Sequence, residues 1–585
     1  MTGRIRSNWL GEAALAVIAM AAFAIAFSFP VLTHLGRIGV VWDWPEFLIR
    51  NWVAFHSLHD LHQIPLWNPY ECGGMPLLAH PSSQIVTPLF ALPMIFGPFV
   101  GLNLQIPIHL AIAWSGGYVL GRVLGMGLMG RLTCASIFPA SSWFYLHIGV
   151  GHLNFLPTVY LPWVAALVLA GAQSFSLLPW ITAGLLLAIM FGEGGVYQVT
   201  QAVMLALLIV CWMAIAGRSW RPLLGIAVMF VFAAGFGAIK LLPSWRMMRL
   251  HPRPVQDIES SSITILLQGL FTRHQFYDRQ RIEAWGFWEL GAYLGPAGAA
   301  LALLGLAGAP RRWFAWFLAA LVFFVLALGG VRPWFPWPLL HHLPIFSWER
   351  MPERFLILFI LAASVMAGLG SDFLARLYKP WGAAAALLLL LAAVADAWMV
   401  SRPNMDAPVA GQVATVATSP QFVQDYEDPW SMMNLALANR GALHCNEELD
   451  FHEAANTRVI AANQPGYRGE YYLSGPGSLD QVRWTPDELR YDVATRAANV
   501  LVINQNYDAN WRLVRGRGEV ISYGGLLAVR VPSGTQRVWL DYKSNWFRLG
   551  AAISLLTCIA AAAVWRREQR IVRGLKSADS LDKLR

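Results

Sequence analysis

"LGEAALAVIAMAAFAIAFSFPVL" (residues 10–32) decides the class of fold, because it is a long apolar run in which Glu12 is the one charged residue. A helix needs about 20 predominantly apolar residues to cross the hydrocarbon core of a bilayer. The run is too long for the hydrophobic region of a signal peptide, and no small-residue cleavage site follows it. We therefore expect an uncleaved membrane anchor.

The composition of the whole chain agrees with a membrane protein. Its 585 residues have a mean hydropathy of +0.48, and 13% of them are charged, whereas about 25% is usual for a soluble domain. Further apolar runs approach spanning length, so we predict a polytopic α-helical membrane protein with about twelve transmembrane helices. The runs lie near 10–32, 104–124, 130–148, 152–171, 177–192, 194–216, 222–242, 290–308, 313–330, 353–373, 380–400 and 547–565.

The net charge of +9 has the distribution of orientation signals, and we predict no nucleic-acid partner. Arginine pairs such as Arg218 with Arg221 and Arg311 with Arg312 fall on one side of the membrane if both termini are cytoplasmic, which is the side that collects Lys and Arg in short loops. The segment 84–100 is apolar but holds three prolines. A full span there would break the charge pattern, so we expect it to be re-entrant or interfacial.

Long connecting segments define the domain organisation. We predict that four of them face the outside: 33–103, 243–289, 331–352 and 401–546. The last is polar, and its end alternates as strands do, for example in "GLLAVRVPSG" (525–534). We therefore predict a membrane domain over 1–400, an extracytoplasmic β-rich domain over 401–546, and a final transmembrane helix with a basic cytoplasmic tail over 547–585.

The cysteines suggest neither a disulfide framework nor a zinc site. They show no CxxC or paired spacing, and three of the five lie in apolar segments. The five are Cys72, Cys134, Cys211, Cys445 and Cys558.

Two carboxylates stand three residues apart in "VVWDWPEFLIRN" (40–51), at the start of a predicted amphipathic helix over 44–62. Such a helix can lie along the membrane plane with its aromatic side chains among the headgroups. The local pattern favours a D-x-x-E capping box, with Asp43 as N-cap and Glu46 at N3. Glu46 also precedes Arg50 by four residues, a spacing that favours an ion pair. A capping carboxylate can still face a cleft, so catalysis by Asp43 stays open.

The histidines of "HSLHDLH" (56–62) are a weak metal signal. His56 with Asp60, or His59 with His62, would share a helix face. The zinc-binding spacing H-E-x-x-H is absent, so we favour histidines on a polar, headgroup-facing surface and predict no metal site.

Five stretches carry a resemblance to a known family. They are "IPLWNPYECGGMPLLAHPSSQIVTPL" (64–89), "VGHLNFLPTVYLPW" (150–163), "ELGAYLGP" (289–296), "RMPERFLILFILAASVMAGLG" (350–370) and "NQNYDANWRLVRGRG" followed by "VRVPSGTQRVWLDYKSNWFRLG" (504–550). In this order they resemble the YfhO-like family of bacterial membrane proteins, in the GT-C class of glycosyltransferases. The resemblance covers nearly the whole chain and thins over 401–490. Trp42–Asp43 stands where the family usually has Gly-Asp, and "GEGGVYQ" (192–198) matches a Gly-His-rich stretch only in part.

The resemblance implies a GT-C-like enzyme in the bacterial cytoplasmic membrane, acting on its outer face. Such enzymes take a sugar from a polyprenyl-phosphate donor, here to an envelope glycan, lipid or polymer. Their catalytic group is a carboxylate on the first outer loop, which by position is Asp43, the general base of an inverting transfer. Glu46 is a second candidate. Some GT-C enzymes use a divalent ion and others none, and we predict neither a metal nor a cofactor.

Further candidate site residues lie at the outer ends of the spans. We expect Arg350 and Arg354, four apart at the start of a helix, to hold the donor phosphate, unless Glu349 and Glu353 pair with them. Basic residues leading into the loop 243–289 point to an anionic lipid: Lys240, Arg246, Arg249 and Arg253. Glu193 and Glu289 either bind sugar hydroxyls or sit in headgroup water. His152 is either a satisfied helix-end residue or an acid–base group.

Two other functions stay open: a glycolipid transporter or flippase, and a non-catalytic assembly protein. Transporters tend to show related halves and interrupted helices at mid-membrane, whereas these charged residues cluster at the outer boundary. GxxxxGK[ST] does not occur, and the single GxGxxG string, "GMGLMG" (125–130), lies between two apolar runs and does not follow a predicted strand, so direct use of a cytosolic nucleotide is not supported. The sequence does not identify the sugar, the acceptor, the prenyl length or the oligomeric state.

Overall fold

The computed structural model describes residues 2–252, 255, 259–277, 286–377, 380–425, 431–445 and 459–582, with side chains described from residue 10 to residue 571. Arg253, one of the predicted basic residues, lies outside this part. The described chain is mostly helical up to about residue 409 and β-rich from residue 471 to the last helix. A mostly helical part, a β-rich part and a final helix therefore follow one another along the chain, and the domain boundaries stay a prediction.

Nine helices of the described chain are long and apolar enough to cross a membrane, so the protein is a multi-pass membrane protein. The predicted count of twelve is not confirmed. The helices are α1 (Thr2–Thr33), α2 (Trp44–His59), α3 (Ala91–Phe96), α4 (Pro98–Val123), α5 (Leu128–Ala140), α6 (Ser142–Val150), α7 (Leu161–Gln173), α8 (Leu178–Gly192), α9 (Val196–Gly217), α10 (Arg221–Leu250), α11 (Ile263–Phe271), α12 (Phe287–Leu290), α13 (Gly295–Gly308), α14 (Pro310–Ala327), α15 (Pro336–His341), α16 (Leu356–Leu377), α17 (Trp381–Ser401), α18 (Met432–Leu437) and α19 (Asn545–Asp582). 3-10 turns lie at Pro88–Phe90, Leu153–Tyr160, Phe346–Trp348, Pro352–Phe355 and Arg402–Val409.

Three predicted spans differ from the simple pattern for local reasons. The run 130–148 is divided into α5 and α6 at Ser141, two residues after Pro139, whose ring disfavours a continuing helix. α8 is apolar but has only 15 residues. α4 is long enough, but it carries the buried polar residues Asn103, Gln105 and His109, which lower its apolar character.

The segment 84–100 does not form a continuous helix. It consists of the 3-10 turn at Pro88–Phe90 and the six-residue α3, and Gly97, at φ +83°, separates α3 from α4. Each of these elements alone is too short to cross a bilayer, and the re-entrant or interfacial position of 84–100 stays a prediction.

α16 lies at the centre of the helical bundle. Together with the 3-10 turn before it, it forms a span whose apolar window is 94% buried. A helix that is apolar on all sides is buried by its neighbours, and α5, α13 and α14 surround it. The turn at Pro352–Phe355 is therefore held in a fixed position at one end of the bundle.

Two four-stranded antiparallel sheets form a sandwich near the C-terminus. Their facing side chains build one apolar core that includes Tyr491, Leu501 and Leu540. The strands are β1 (Trp67–Asn68), β2 (Met75–Pro76), β3 (Val423–Asp425), β4 (Arg440–Ala442), β5 (Tyr471–Leu473), β6 (Ser478–Thr485), β7 (Glu488–Thr495), β8 (Asn499–Asn506), β9 (Trp511–Arg515), β10 (Glu519–Tyr523), β11 (Leu526–Val531) and β12 (Gly534–Tyr542). The sheet orders are β10-β11-β8-β5 and β6-β7-β12-β9; β1–β2 is a short antiparallel pair and β3–β4 a short parallel pair.

The first long loop is docked onto this sandwich by a tryptophan. Trp67 is buried in the sandwich core, where its ring lies edge-on to Trp511 with centroids 5.8 Å apart. Its indole N–H donates to Gln505 (2.9 Å), and its backbone N–H donates to the carboxylate of Asp487 (2.9 Å). "PLWNPY" (65–70) therefore joins the membrane domain to the β-rich domain.

A disulfide between Cys72 and Cys445 makes a second link between the same two regions, with Cα atoms 4.6 Å apart. The expectation that the cysteines form no disulfide is wrong for this pair. The two residues are 373 positions apart in the sequence, so their spacing carries no sign of the pairing. Backbone hydrogen bonds align the two segments, since the N–H of Cys72 donates to the carbonyl of His444 (3.3 Å) and the N–H of Gly73 donates to that of Ala442 (3.2 Å).

Candidate active site

A cavity of about 180 Å³ opens where α2, the turn after α6, the start of α9 and the loop before α16 meet. Five of the nine predicted site residues line it: Asp43, Glu46, His152, Arg350 and Arg354. Other lining residues include Phe47, Phe155, Tyr197, Met248, Ile345, Trp348 and Glu349. Residues from four distant parts of the sequence therefore form one site with both acidic and basic groups.

Close backbone packing fixes the start of α2 at this cavity. The backbone N–H of Asp43 donates to the carbonyl of Val150 (3.0 Å), and the indole N–H of Trp44 donates to the carbonyl of Ile148 (2.9 Å). Gly151 permits this approach, because its φ is +87° and a Cβ atom there would lie 2.4 Å from the backbone nitrogen of Trp44. The position of Asp43 is therefore set by the turn that also carries His152.

The side chain of Asp43 does not cap the helix. It stands at the N-cap position, but with helical φ and ψ of −83° and −3° and no side-chain capping bond. A capping residue normally has an extended conformation, which aims its oxygen at the N2 or N3 amide. The predicted capping box is therefore wrong, and the carboxylate, 38% exposed, is directed elsewhere.

Asp43 contacts His152 instead, and His152 in turn contacts a second histidine. Its Oδ2 lies 3.2 Å from Nε2 of His152, and Nδ1 of His152 lies 2.9 Å from Nδ1 of His147. His147 is fully buried and stacks on Phe155. Two Nδ1 atoms bond only if one carries the proton. If His152 is neutral and presents Nε2–H to Asp43, then His147 is the donor to His152.

Glu46 belongs to a buried ion network. It forms an ion pair with Arg50, as the i,i+4 spacing predicts, and this prediction is confirmed. The Arg50 guanidinium also donates to both oxygens of Glu71, with distances of 3.1 and 2.7 Å, and Asn68 donates to Glu71 at 3.1 Å. Arg50 is 1% exposed. The network ties α2 to the loop that carries "PLWNPY".

Arg350 and Arg354 both line the cavity, but they do not share a helix face. The residue before a proline avoids the α conformation, and Met351, before Pro352, has φ +61°. The chain therefore turns there, and helical structure begins only at Pro352. The prediction that Arg350 and Arg354 lie on one face of the same helix is therefore wrong.

The charge of Arg354 is compensated inside the protein. Its Nε and Nη2 donate to the two oxygens of Glu289, each at 2.7 Å. The guanidinium also lies 4.6 Å from the ring centroids of both Phe155 and Tyr197. Glu289 is thus the ion-pair partner of Arg354, in place of the expected Glu349 and Glu353. Arg350 reaches the cavity from the preceding loop, where its backbone N–H donates to the Tyr197 hydroxyl (3.3 Å).

Glu349 adds a carboxyl group for which the sequence pattern indicated only an ion pair. It is buried at the cavity wall and accepts a hydrogen bond from the Thr200 hydroxyl. Burial raises the pKa of Glu349 to about 8, against the opposing effects of Thr200 and Arg354. The group is therefore mainly neutral near neutral pH. Its burial depends on tertiary packing that no local motif reveals.

Four predicted site residues do not line the cavity: Glu289, the partner of Arg354, and Glu193, Lys240 and Arg246. Glu193 is buried among Thr87 (2.6 Å), Tyr160 (3.0 Å) and His109 (3.2 Å). These contacts fasten the segment 84–100 to the helices beside it.

Lys240 and Arg246 also lie elsewhere. The buried Lys240 ammonium donates to four backbone carbonyls, those of Pro81, Ser83, Phe191 and Gly192. Arg246 lines a small cleft between α10 and the sandwich.

The predicted histidine cluster on α2 is held by an aspartate. His56 Nδ1 and His59 Nδ1 lie 2.6 and 2.7 Å from the two oxygens of Asp60. Within the part of the chain that the structure describes, no group of three or more His, Cys, Asp or Glu side chains is arranged to hold a metal ion. The absence of a metal stays a prediction.

The fold and the cavity define a class: a multi-pass membrane protein with a β-sandwich and an adjacent carboxylate–arginine cavity. No family model and no curated protein matches the sequence. One similar solved structure is that of the arabinofuranosyltransferase AftD from Mycobacteria, at 15% identity and a TM-score of 0.49, covering 92% of this chain and 40% of that chain. The structure of a mutant form of AftD is similar at 14% identity and a TM-score of 0.41, covering 92% of this chain and 42% of that chain.

Another similar structure is the oligosaccharyltransferase of Archaeoglobus fulgidus, at 13% identity and a TM-score of 0.41, covering 76% of this chain and 65% of that chain. This chain therefore spans less than two thirds of each neighbour's length. At these identities and TM-scores no activity passes from the neighbours to this chain, and its function has to be inferred from the chemistry of the cavity.

Proposed function

We propose that this protein is a GT-C-like membrane glycosyltransferase that transfers a sugar from a polyprenyl-phosphate donor to an extracytoplasmic acceptor. One observation carries the proposal: Asp43 and Arg350 are far apart in the sequence but line the same cavity. Glycosyl transfer from a phosphate needs a carboxylate for the acceptor proton and a cation for the leaving phosphate. The cavity supplies both.

Asp43 is the proposed general base of an inverting transfer. Its carboxylate takes the proton of an acceptor hydroxyl while that oxygen forms a bond to the anomeric carbon. The bond between the anomeric carbon and the phosphate oxygen breaks, and the polyprenyl phosphate leaves with its electron pair. His152 contacts one oxygen of the Asp43 carboxylate and thereby fixes the orientation of the carboxylate in the cavity.

Arg350 is the proposed contact of the donor phosphate. Arg354 is engaged with both oxygens of Glu289, so its charge serves mainly to hold the cavity wall. A neutral Glu349 next to Arg350 adds no negative charge that would repel the phosphate. A protonated carboxyl group also donates a hydrogen bond.

The cavity has an apolar side that suits a lipid-linked donor. Phe47, Met248, Ile345 and Trp348 contribute to its lining. Ile345 and the loop around it remain exposed, so the apolar side continues to the surface of the protein. A prenyl chain can leave the cavity along this side while its phosphate stays at Arg350.

The disulfide supports an extracytoplasmic position of the sandwich and the cavity. Disulfides persist in oxidising compartments and are rare in the cytosol. Cys72 follows "PLWNPY", and its partner Cys445 belongs to the β-rich region. In a bacterial cytoplasmic membrane, this pair is stable on the outer face. That placement fits the predicted topology, in which the segments 33–103 and 401–546 face the outside and both termini are cytoplasmic.

A transfer assay in membranes tests the proposed function. Membranes that contain the protein are given polyprenyl-phosphate sugars labelled in the sugar, and the label is followed from the organic-extractable donor to the envelope fraction. We expect that at least one sugar is transferred in membranes that contain the protein and is not transferred in membranes that lack it. Release of free polyprenyl phosphate must accompany it.

The same membranes distinguish a transporter. If the labelled lipid changes sides without cleavage of the sugar–phosphate bond, the protein moves the glycolipid and the transferase proposal is wrong. If neither transfer nor movement depends on the protein, an assembly role replaces it.

A further inference from the structure

A second large opening lies at the other end of the helical bundle, between α7, α9 and α14, and we call it the α9–α14 groove. It has a volume of about 500 Å³, within the range of about 300–1,000 Å³ typical of ligand pockets. The α9 residues that line the groove run from Leu205 to Met213, whereas Tyr197 of α9 lines the active-site cavity. At 1.5 Å per residue, the groove therefore extends from about 12 to about 24 Å along the helix from Tyr197. It is therefore a separate feature.

The wall of the groove is aliphatic and aromatic. Leu205, Leu208 and Ile209 of α9 face Ala315 and Trp316 of α14 across it. All of them belong to helices that are long and apolar enough to span a membrane. Apart from Gln173 and the two arginines at one end, the residues that line the opening are apolar or glycine, so hydrocarbon chains fill it at lower cost than water does.

One end of the groove is strongly basic. Arg311 and Arg312 line it from the first turn of α14. Both are exposed, and Arg312 donates to the carbonyl of Leu124 (3.0 Å), which holds it at the rim. No Asp or Glu occurs among the described residues that line the groove. The basic end lies where α14 begins, at the level expected for lipid headgroups.

We propose that the α9–α14 groove binds an anionic glycerophospholipid, with an acyl chain along the apolar wall and the lipid phosphate between Arg311 and Arg312. Basic pockets between transmembrane helices are suited to anionic headgroups, since each Lys or Arg near the surface adds to the attraction. The donor lipid is excluded as the occupant by position, because its phosphate belongs at Arg350, at the opposite end of α9. This exclusion rests on the proposed function, whereas the lipid-binding test does not require transferase activity.

Lipid binding by the purified full-length protein tests this assignment. The protein is delipidated in detergent, given phosphatidylglycerol or phosphatidylcholine with identical acyl chains, and analysed by native mass spectrometry. We expect phosphatidylglycerol to bind on the order of tenfold more tightly, because two arginines contact its headgroup. The double variant Arg311→Ala/Arg312→Ala should lose this preference. The matched control Arg566→Ala/Arg567→Ala, which removes two exposed arginines from α19, should keep it.

A second variant separates the groove from its charged rim. Ala315→Phe fills the apolar wall and leaves both arginines in place, and we expect it to lose bound phosphatidylglycerol as well. Equal binding of the two lipids, or unchanged binding in the Arg311/Arg312 double variant, would overturn the proposal. Retained binding in Ala315→Phe would overturn the placement of the chain in the groove. Displacement of phosphatidylglycerol by undecaprenyl phosphate would assign the groove to a prenyl lipid instead.

Discussion

Nε2 of His152 lies 3.2 Å from Oδ2 of Asp43, and this contact replaces the helix cap that the local sequence predicts. The carboxylate is oriented by a ring from another part of the chain, and this ring is itself held by the buried His147. The arrangement places the proposed base at the cavity with one oxygen engaged.

Replacing His152 by Ala should therefore reduce transfer without abolishing it. A small loss of orientation at a reacting group costs on the order of 10²-fold in rate. We expect this loss in kcat, with the KM for the donor nearly unchanged, and a smaller loss for His152→Gln, which keeps a donor group. Steady-state kinetics with the identified donor would show it. A variant with wild-type kcat would mean that the contact does not position Asp43.

Replacing Arg350 by Ala should weaken donor binding. A hydrogen bond to a charged group contributes about 1.5–3 kcal/mol, which corresponds to about a 10- to 100-fold rise in the donor KM. Arg350→Lys should recover part of the loss, because it keeps the charge without the planar guanidinium. Arg332→Ala is the control, since Arg332 is exposed in the same loop and does not line the cavity. Equal KM values in all four proteins would remove Arg350 from the phosphate site.

Ionisation of Glu349 should make donor binding sensitive to alkaline pH. Its pKa of about 8 is above the ordinary value, so the folded protein keeps the proton as pH rises and releases it near pH 8. The new negative charge then faces the phosphate beside Arg350. We expect the donor KM to rise between about pH 7 and pH 9 in the wild type, and not in Glu349→Gln. The same rise in both proteins would assign the pH dependence to another group.

The buried pair of Arg354 and Glu289 should be a large contributor to stability. Removal of one member of a buried ion pair costs about 3–5 kcal/mol, because the other charge is left uncompensated. We expect Glu289→Ala to lower the thermal unfolding midpoint in detergent markedly. Glu519→Ala breaks the exposed pair with Arg530 and should cost less than about 1 kcal/mol. Similar midpoints for the two variants would show that Arg354 is stabilised by other contacts.

The sequence predicted those features that local patterns determine. Apolar runs located most helices, alternation located the strands of the β-rich domain, and the spacing of Glu46 and Arg50 predicted their ion pair, which is confirmed. Each of these features depends on a pattern within a single segment, either its hydrophobicity or the periodicity of a helix or a strand.

Long-range contacts could not be predicted in the same way. Cys72 pairs with Cys445, and Arg354 pairs with Glu289 in place of its sequence neighbours. Trp67 is buried in the sandwich core against Trp511 and Gln505, which are more than 400 residues away in the sequence. The partner of each of these residues depends on how separate helices and strands pack together. The shared cavity of Asp43, His152 and Arg350 is of the same kind, and the resemblance to a known family suggested its members without their geometry.

The most direct test of the central claim is the transfer rate of Asp43→Asn, measured with the identified donor in the same membranes as the wild type. The amide keeps the size of the side chain but cannot take a proton, so we predict a rate at least about 10²-fold lower, with donor binding changed little. Asp60→Asn, at the other end of α2 and outside the cavity, should transfer at the wild-type rate. A wild-type rate for a correctly folded Asp43→Asn would contradict the assignment of Asp43 as the catalytic base.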